Sequence, residues 1–250
     1  MKILLSILMA KLVYARRQLL LALEQVKLKD PSQIGEGKIL EFMLGEFQRK
    51  GINFTGTFLE LGGNSAYDLS TSWYLEKKLG YRGITVEPIP TFSDEYKKFR
   101  KKTTLVQKAV ISSSSKEQTT SFYRCNNSFL STLDHEEADR YMKMGYIFEK
   151  VVVETVYLEQ LMGLLGARID ILILDIESAE LQLELLSDLK LNIFQTLMPC
   201  IICVETLDYS RQSSNLRHAY DSILSDQYHF MAGTYLNSFY VHDSITCELL

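Results

Sequence analysis

Two apolar strands that each run into an acid, with a glycine pair between them, constrain this chain more than any other stretch. Phe58-Leu59-Glu60-Leu61-Gly62-Gly63-Asn64-Ser65-Ala66 is followed, after a helical segment, by Gly83-Ile84-Thr85-Val86-Glu87-Pro88. Glycines between a strand and a helix let backbone approach a ligand closely, and an acid closing the next strand can take both hydroxyls of a ribose. Glu87 lies 24 residues beyond Gly63 (87 minus 63), close to the spacing of about 20 residues usual for a ribose-binding acid. The pattern predicts an open α/β sheet with a nucleoside-cofactor pocket. The dinucleotide motif G-x-G-x-x-G is absent, which ranks a nicotinamide-dependent oxidoreductase a distant third among the readings.

The rest of the chain keeps the strand–helix alternation. Strands are predicted at 57–61, 82–87, 104–110, 151–156, 169–175 and 200–205, with a short edge strand at 119–123. Helices are predicted at 2–29, 32–50, 67–79, 92–101, 158–165, 179–189 and 216–224, and Gly80 suits a left-handed helix cap. Continuous apolar strands between helices imply a mostly parallel sheet covered on both faces. The stretches 228–232 and 238–242 have no helix between them and read as a closing antiparallel pair. The segment 128–145 shows no single period and is expected to cover the site. Residues 1–50 are taken as an N-terminal helical extension and 51–250 as one Rossmann-like domain.

Composition narrows the functions. The 250 residues carry a net charge of −4, which gives no basic face for nucleic acid. Lys97, Lys98, Arg100, Lys101 and Lys102 form the densest basic cluster and read as a solvated helix end. Cys200 and Cys203 lie in an apolar run; three apart on a strand, they should point to opposite faces and act as buried thiols, not as a metal pair. No metal set is expected. Residues 3–10 are too short an apolar run to span a bilayer. They are read as part of an amphipathic helix with Leu12, Leu19, Leu20 and Leu23, so membrane association is not favoured. The expected location is cytoplasmic, with a secretory or membrane-anchored alternative through residues 3–23. The sequons at Asn53 and Asn126 do not decide the compartment.

Acids recur at strand ends. Glu60, Glu87, Asp175 and Glu205 should converge on one cleft beyond the carboxyl ends of the strands, where open α/β sheets bind ligands. Buried carboxylates need a partner or a ligand. In Asp175-Ile176-Glu177 the two acids alternate by two, so both can face the cleft and position an acceptor hydroxyl or take its proton. Glu180 falls in the first turn of the next helix, where an acid is favoured.

Taken in order, these segments resemble the FkbM-type S-adenosylmethionine-dependent methyltransferases, in particular the branch with an N-terminal S-Q-x-G-E motif. That motif is present as Ser32-Gln33-Ile34-Gly35-Glu36. Gly56 to Ala66 is similar to the family's G-x-F-x-E-[IL]-G-A-x-D-G, and Leu69 to Glu76 to its L-S-N-T-x-x-L-E. Leu79-Gly80-Tyr81-Arg82-Gly83 with Val86-Glu87-Pro88 resembles L-G-W-x-G and V-E-P, and Ile169 to Leu181 resembles I-D-x-L-x-L-D-x-E-G-x-E-L. The resemblance runs from about Ser32 to His242.

It implies a Rossmann-like class I methyltransferase fold, S-adenosyl-L-methionine as cofactor, and methyl transfer to a hydroxyl of a sugar, glycan or small molecule. By position, Glu60, Gly62, Gly63 and Asn64 would hold the methionine end, Glu87 the ribose, and Ala109 the adenine. Asp175 and Glu177 would lie near the methyl and the acceptor, with Glu205 on the substrate side. Three places depart from the pattern: Ser65-Ala66 for Asp-Gly, Thr71-Ser72 for Asn-Thr, and Ser178 for glycine. They support an alternative, a catalytically silent binding or scaffold protein on the same fold.

Overall fold

The computed structural model describes residues 30–166, 168–190, 198–206 and 213–246. The helix expected over 2–29, with the membrane question it carries, and Cys247 lie outside the described residues. Among the described residues no helix is long and apolar enough to cross a membrane.

The main sheet has seven strands: β1 (Thr57–Leu61), β2 (Arg82–Val86), β3 (Thr103–Val106), β7 (Ile171–Leu174), β8 (Ile201–Glu205), β9 (Tyr228–Gly233) and β10 (Asn237–His242). Their order is β3-β2-β1-β7-β8-β10-β9. From β3 to β8 all neighbours are parallel, while β10 runs antiparallel to both β8 and β9. This is the mostly parallel, Rossmann-like sheet with a closing antiparallel pair that the sequence predicts. The order reverses between β1 and β7, and that switch point is where a doubly wound sheet opens a crevice.

Two-sided burial explains the near-continuous apolar strands. Alternate residues serve opposite faces. Leu59, Leu61, Leu172, Leu174, Ile202 and Val204 pack with α5 (Leu158–Leu165), α6 (Ala179–Lys190) and α7 (Ser213–Leu224). Phe58, Ile171, Ile173, Ile201 and Phe239 pack with α1 (Glu36–Arg49). Leu40, Met43, Leu44 and Phe47 form the buried stripe of α1 at the spacing of an amphipathic helix. Deep in the sheet, Asp170 accepts hydrogen bonds from the amides of Gly56 (2.6 Å) and Thr57 (3.0 Å), which ties the start of β1 to β7.

Several expectations change in detail. The strand foreseen over 104–110 breaks at Gln107-Lys108. Its second half becomes β4 (Ala109–Ile111), which leaves the main sheet and pairs with β6 (Phe148–Tyr157). With the edge strand β5 (Thr119–Cys125), these form a three-stranded sheet, β4-β6-β5. The helix foreseen from Tyr67 begins only at Thr71, as α2 (Thr71–Lys78), because Ser70 caps it by accepting from the Trp73 amide at 3.1 Å. α3 (Ser93–Phe99) ends before Arg100. Arg100 is not a solvated helix-end charge. It is 3% exposed and paired with Glu76 at 2.9 Å. Cys200 and Cys203 are buried thiols, but both join the same cluster of one sheet face, because Cys200 sits in the bend ahead of β8 and only Cys203 lies on the strand. Burial pushes the Cys200 thiol up to about 12.

Candidate active site

A cavity of about 610 Å³ opens at the carboxyl ends of β1, β2, β7 and β8. Its size is within the range usual for small-molecule sites, roughly 300–1,000 Å³. The structure brings every sequence-predicted site residue to this one wall: Glu60, Gly62, Gly63, Asn64, Glu87, Ala109, Asp175, Glu177 and Glu205.

The glycine pair is demanded first by the protein's own packing. Gly62 has φ +89°, and a Cβ there would stand 1.9 Å from the Asp175 carbonyl oxygen. At Gly63 a Cβ would stand 1.9 Å from Thr85 Cγ2. Both glycine amides donate to the Val86 carbonyl, at 3.0 and 3.1 Å. These contacts draw the ends of β1, β2 and β7 together, and the turn so made forms the cavity floor.

Glu60 is fully enclosed. Its carboxylate accepts from Ser72 Oγ at 2.6 Å and Thr85 Oγ1 at 2.9 Å. Burial raises its pKa, opposed by the Arg100 charge and these hydroxyls. Arg100 also donates to Ser72 Oγ and Thr103 Oγ1, both at 2.9 Å. Glu76 is held down to about 2: burial works against the charge, but hydrogen bonds from Lys77, Thr103 and Arg100 outweigh it. This network fixes α2, β2 and the glycine turn as one unit.

Glu87 is 4% exposed. One oxygen accepts from the Asn64 amide at 2.8 Å and the other from the Ile89 amide at 2.7 Å. Burial pushes its pKa up to about 7 against those two bonds. Each carboxylate oxygen has a second lone pair, so a vicinal diol fits the donor–acceptor count.

On the other side of the switch point, Asp175 and Glu177 follow β7. Burial, then the Asp175 charge, raises the Glu177 pKa. Glu177 Oε2 accepts from Tyr141 Oη at 3.2 Å, and the Glu177 carbonyl accepts from Thr132 Oγ1. Glu205, at the end of β8, is paired in register with Asn237, whose side-chain amide donates to the buried Glu36 at 2.8 Å. The Ser32–Glu36 motif thus braces this flank, and Gln33 itself lines the cavity.

The positions where the sequence differs from the pattern it resembles have local accounts. Ala66 is fully buried and keeps an ordinary negative φ; the left-handed residues of the loop are Asn64 (φ 44°) and Leu69 (φ 56°). Ser65 Oγ donates to Glu95 at 3.0 Å and accepts from the Asp68 amide at 3.1 Å. Ser178 Oγ accepts from the Leu181 amide at 3.3 Å, capping α6.

A cap over the cavity comes from the segment between β5 and β6, as its lack of a single period suggests. Ser128, Phe129, Thr132, Arg140, Tyr141 and Tyr146 line the site from above. Ser128 Oγ donates to Asn64 Oδ1 at 3.1 Å. None of these side chains was singled out by sequence. The readable signal was Asp134, which accepts from the amides of Glu136 (2.8 Å) and Glu137 (3.3 Å) and so starts α4 (His135–Lys143).

No family model matches the sequence, and neither does any curated protein. Among solved structures, the chain is similar to an SAH-bound methyltransferase of Podospora anserina, with 10% identity and a TM-score of 0.41, over 80% of this chain and 75% of that one. It is also similar to a TDP-rhamnose 3'-O-methyltransferase of calicheamicin biosynthesis, with 12% identity and a TM-score of 0.40, over 91% of both chains. These are distant likenesses, and the sheet order itself carries the fold.

Proposed function

We propose that the protein is an S-adenosyl-L-methionine-dependent methyltransferase, of the FkbM type that its motifs resemble, acting on a hydroxyl of a small-molecule or glycan acceptor. The observation that carries this reading is the convergence of the Gly62-Gly63 turn, Glu87 and the Asp175–Glu177 pair on one cavity at the switch point. When bound, the cofactor supplies an electrophilic methyl on a sulfonium. Glu87 would accept the ribose hydroxyls, Asn64 and the glycine turn would border the methionine end, and Ala109 would face the adenine. Asp175 and Glu177 would hold the acceptor hydroxyl. They would align its oxygen with that methyl, and Glu177 would take the proton that the hydroxyl gives up on methylation. Burial keeps Glu177 basic enough for that task. Most of the acceleration in such a transfer comes from aligning oxygen and methyl.

Calorimetric titration with S-adenosylmethionine and with its demethylated product tests the reading. Micromolar binding of either supports it. No binding of either at millimolar concentration sinks it, and tight binding of a nicotinamide cofactor instead would restore the oxidoreductase.

A further inference from the structure

Outside the residues that the sequence points to, the cap reaches the reacting side of the cavity through a hydroxyl aimed at a carboxylate. Tyr141, on α4, is buried, and its ring is stacked on Phe148 with centroids 6.4 Å apart and planes 14° from parallel. The Arg140 guanidinium lies 4.2 Å from the ring centre on the same helix, and Tyr146 packs edge-on at 6.1 Å. A ring held on several sides leaves its hydroxyl little choice of direction, and that hydroxyl reaches Glu177 Oε2 at 3.2 Å. The Glu177 main chain is fixed as well, by Thr132 Oγ1. Glu177 therefore has one carboxylate oxygen engaged by the cap, while its residue lines the cavity.

We propose that Tyr141 is a positioning residue for Glu177: it holds one carboxylate oxygen so that the other faces the acceptor hydroxyl as proton acceptor. The proposal rests on the methyl-transfer reading of the cavity and adds to it that the cap, 36 residues away in sequence, completes the base. The charged and titratable groups facing Glu177 are Asp175 on its own loop, Glu137, Arg140 and Tyr141 on α4, and the Cys125 thiol at the end of β5. Asp175 and Glu137 raise its proton affinity; Arg140 and the Tyr141 hydroxyl lower it. A hydrogen bond donated to a carboxylate favours the ionised form. Its removal should move the Glu177 titration upward.

The test needs no identified acceptor. The carboxyl carbon of Glu177 is followed by NMR in glutamate-labelled protein from about pH 5 to about pH 11, wide enough to bracket a carboxyl raised by burial and then raised further, and Glu177→Gln identifies its resonance. Tyr141→Phe keeps the stacked ring and deletes only the hydroxyl. The expected result is a midpoint raised by about one pH unit, with S-adenosylmethionine affinity by calorimetry unchanged within about twofold. An unmoved midpoint overturns the proposal. So does a loss of cofactor affinity of about tenfold or more, because Tyr141 would then serve the cofactor. If wild type and Tyr141→Phe both fail to bind S-adenosylmethionine, the transferase reading fails and this role falls with it, and that failure is read in the calorimeter independently of the titration.

Discussion

Replacing Glu87 by glutamine tests the ribose assignment through protons instead of turnover. In the ligand-free protein the carboxyl is buried, accepts one amide on each oxygen, and has a pKa near 7 in place of 4.5. A ribose diol donates two further hydrogen bonds and can do so only to the ionised form. At pH 6 about one tenth of the protein carries that form, and at pH 8 about nine tenths, so apparent affinity for S-adenosylmethionine should rise roughly tenfold over that interval. Binding at pH 6 should release close to one proton, which calorimetry reads from the dependence of the heat on buffer ionisation enthalpy. Glu87→Gln should bind about 10- to 100-fold more weakly at pH 8 and lose that pH dependence. The methionine amino group titrates in both proteins, so the difference between them isolates Glu87. Affinity that is flat from pH 6 to 8 with no proton release, or a glutamine variant that binds as well as wild type, would refute the assignment.

The same residue links pH to stability with a definite sign. Its folded pKa lies above the unfolded value, so between pH 4.5 and about 7 the folded protein keeps a proton that the unfolded chain has lost. The contribution is fully present below pH 4.5 and is lost as the pH rises through about 7. A displacement from 4.5 to about 7, at about 1.36 kcal/mol per unit, makes the whole change about 3 kcal/mol. Urea unfolding of the ligand-free protein should show that decline between pH 4.5 and about 7, and Glu87→Gln should make it shallower by that amount.

Three further outcomes follow from packing. Gly62→Ala places a methyl 1.9 Å from a backbone oxygen at a left-handed φ; it should cost more than about 3 kcal/mol in thermal unfolding and abolish cofactor binding. Arg100→Met leaves buried Glu60 without its nearby cation and Glu76 with Lys77 alone; it should destabilise by about 3–5 kcal/mol at pH 7, with much of the loss recovered at pH values low enough to protonate the carboxylates. Ala66→Gly puts a glycine where no positive φ needs it; it should lower stability by about 0.5–1 kcal/mol and leave cofactor affinity unchanged, whereas a large gain in affinity would mean that the loop is strained as it stands.

What was legible in the sequence follows from backbone geometry. β1, β2, β7 and β8 announce themselves because both faces are covered, and the acids that close them reach one cavity because parallel strands share a carboxyl end. The closing pair β9–β10 was legible because no helix separates its strands. Contacts across tertiary space were not. Arg100 reads as one more lysine-like charge until Glu76, 24 residues earlier, meets it inside the fold. The break at Gln107-Lys108 carries no glycine or proline, so nothing local marked where one strand leaves for a second sheet. Tyr141 sits on a strongly polar helix whose only sequence signal is its cap, and its value lies in a partner 36 residues away.

The departures at Ser65, Ala66 and Ser178 bear on whether the site works at all, and the structure moves that question away from the loops. A lost glycine strains a turn only where φ is positive, and Ala66 is not such a place. Asn64 carries a left-handed conformation instead, a residue type that tolerates it, and its side chain is held by the Ser65 amide and Ser128 Oγ at 2.9 and 3.1 Å. Ser178 serves as a helix cap. The substitutions therefore leave the floor of the cavity in place, and the scaffold alternative gains no support from backbone strain. What separates a transferase from a silent binder is the pair Asp175 and Glu177 under its cap. A scaffold would bind S-adenosylmethionine through Glu87 and the glycine turn and be indifferent to Tyr141→Phe in any methyl-transfer assay. A transferase would bind it equally well but lose its turnover at low pH when that hydroxyl is removed.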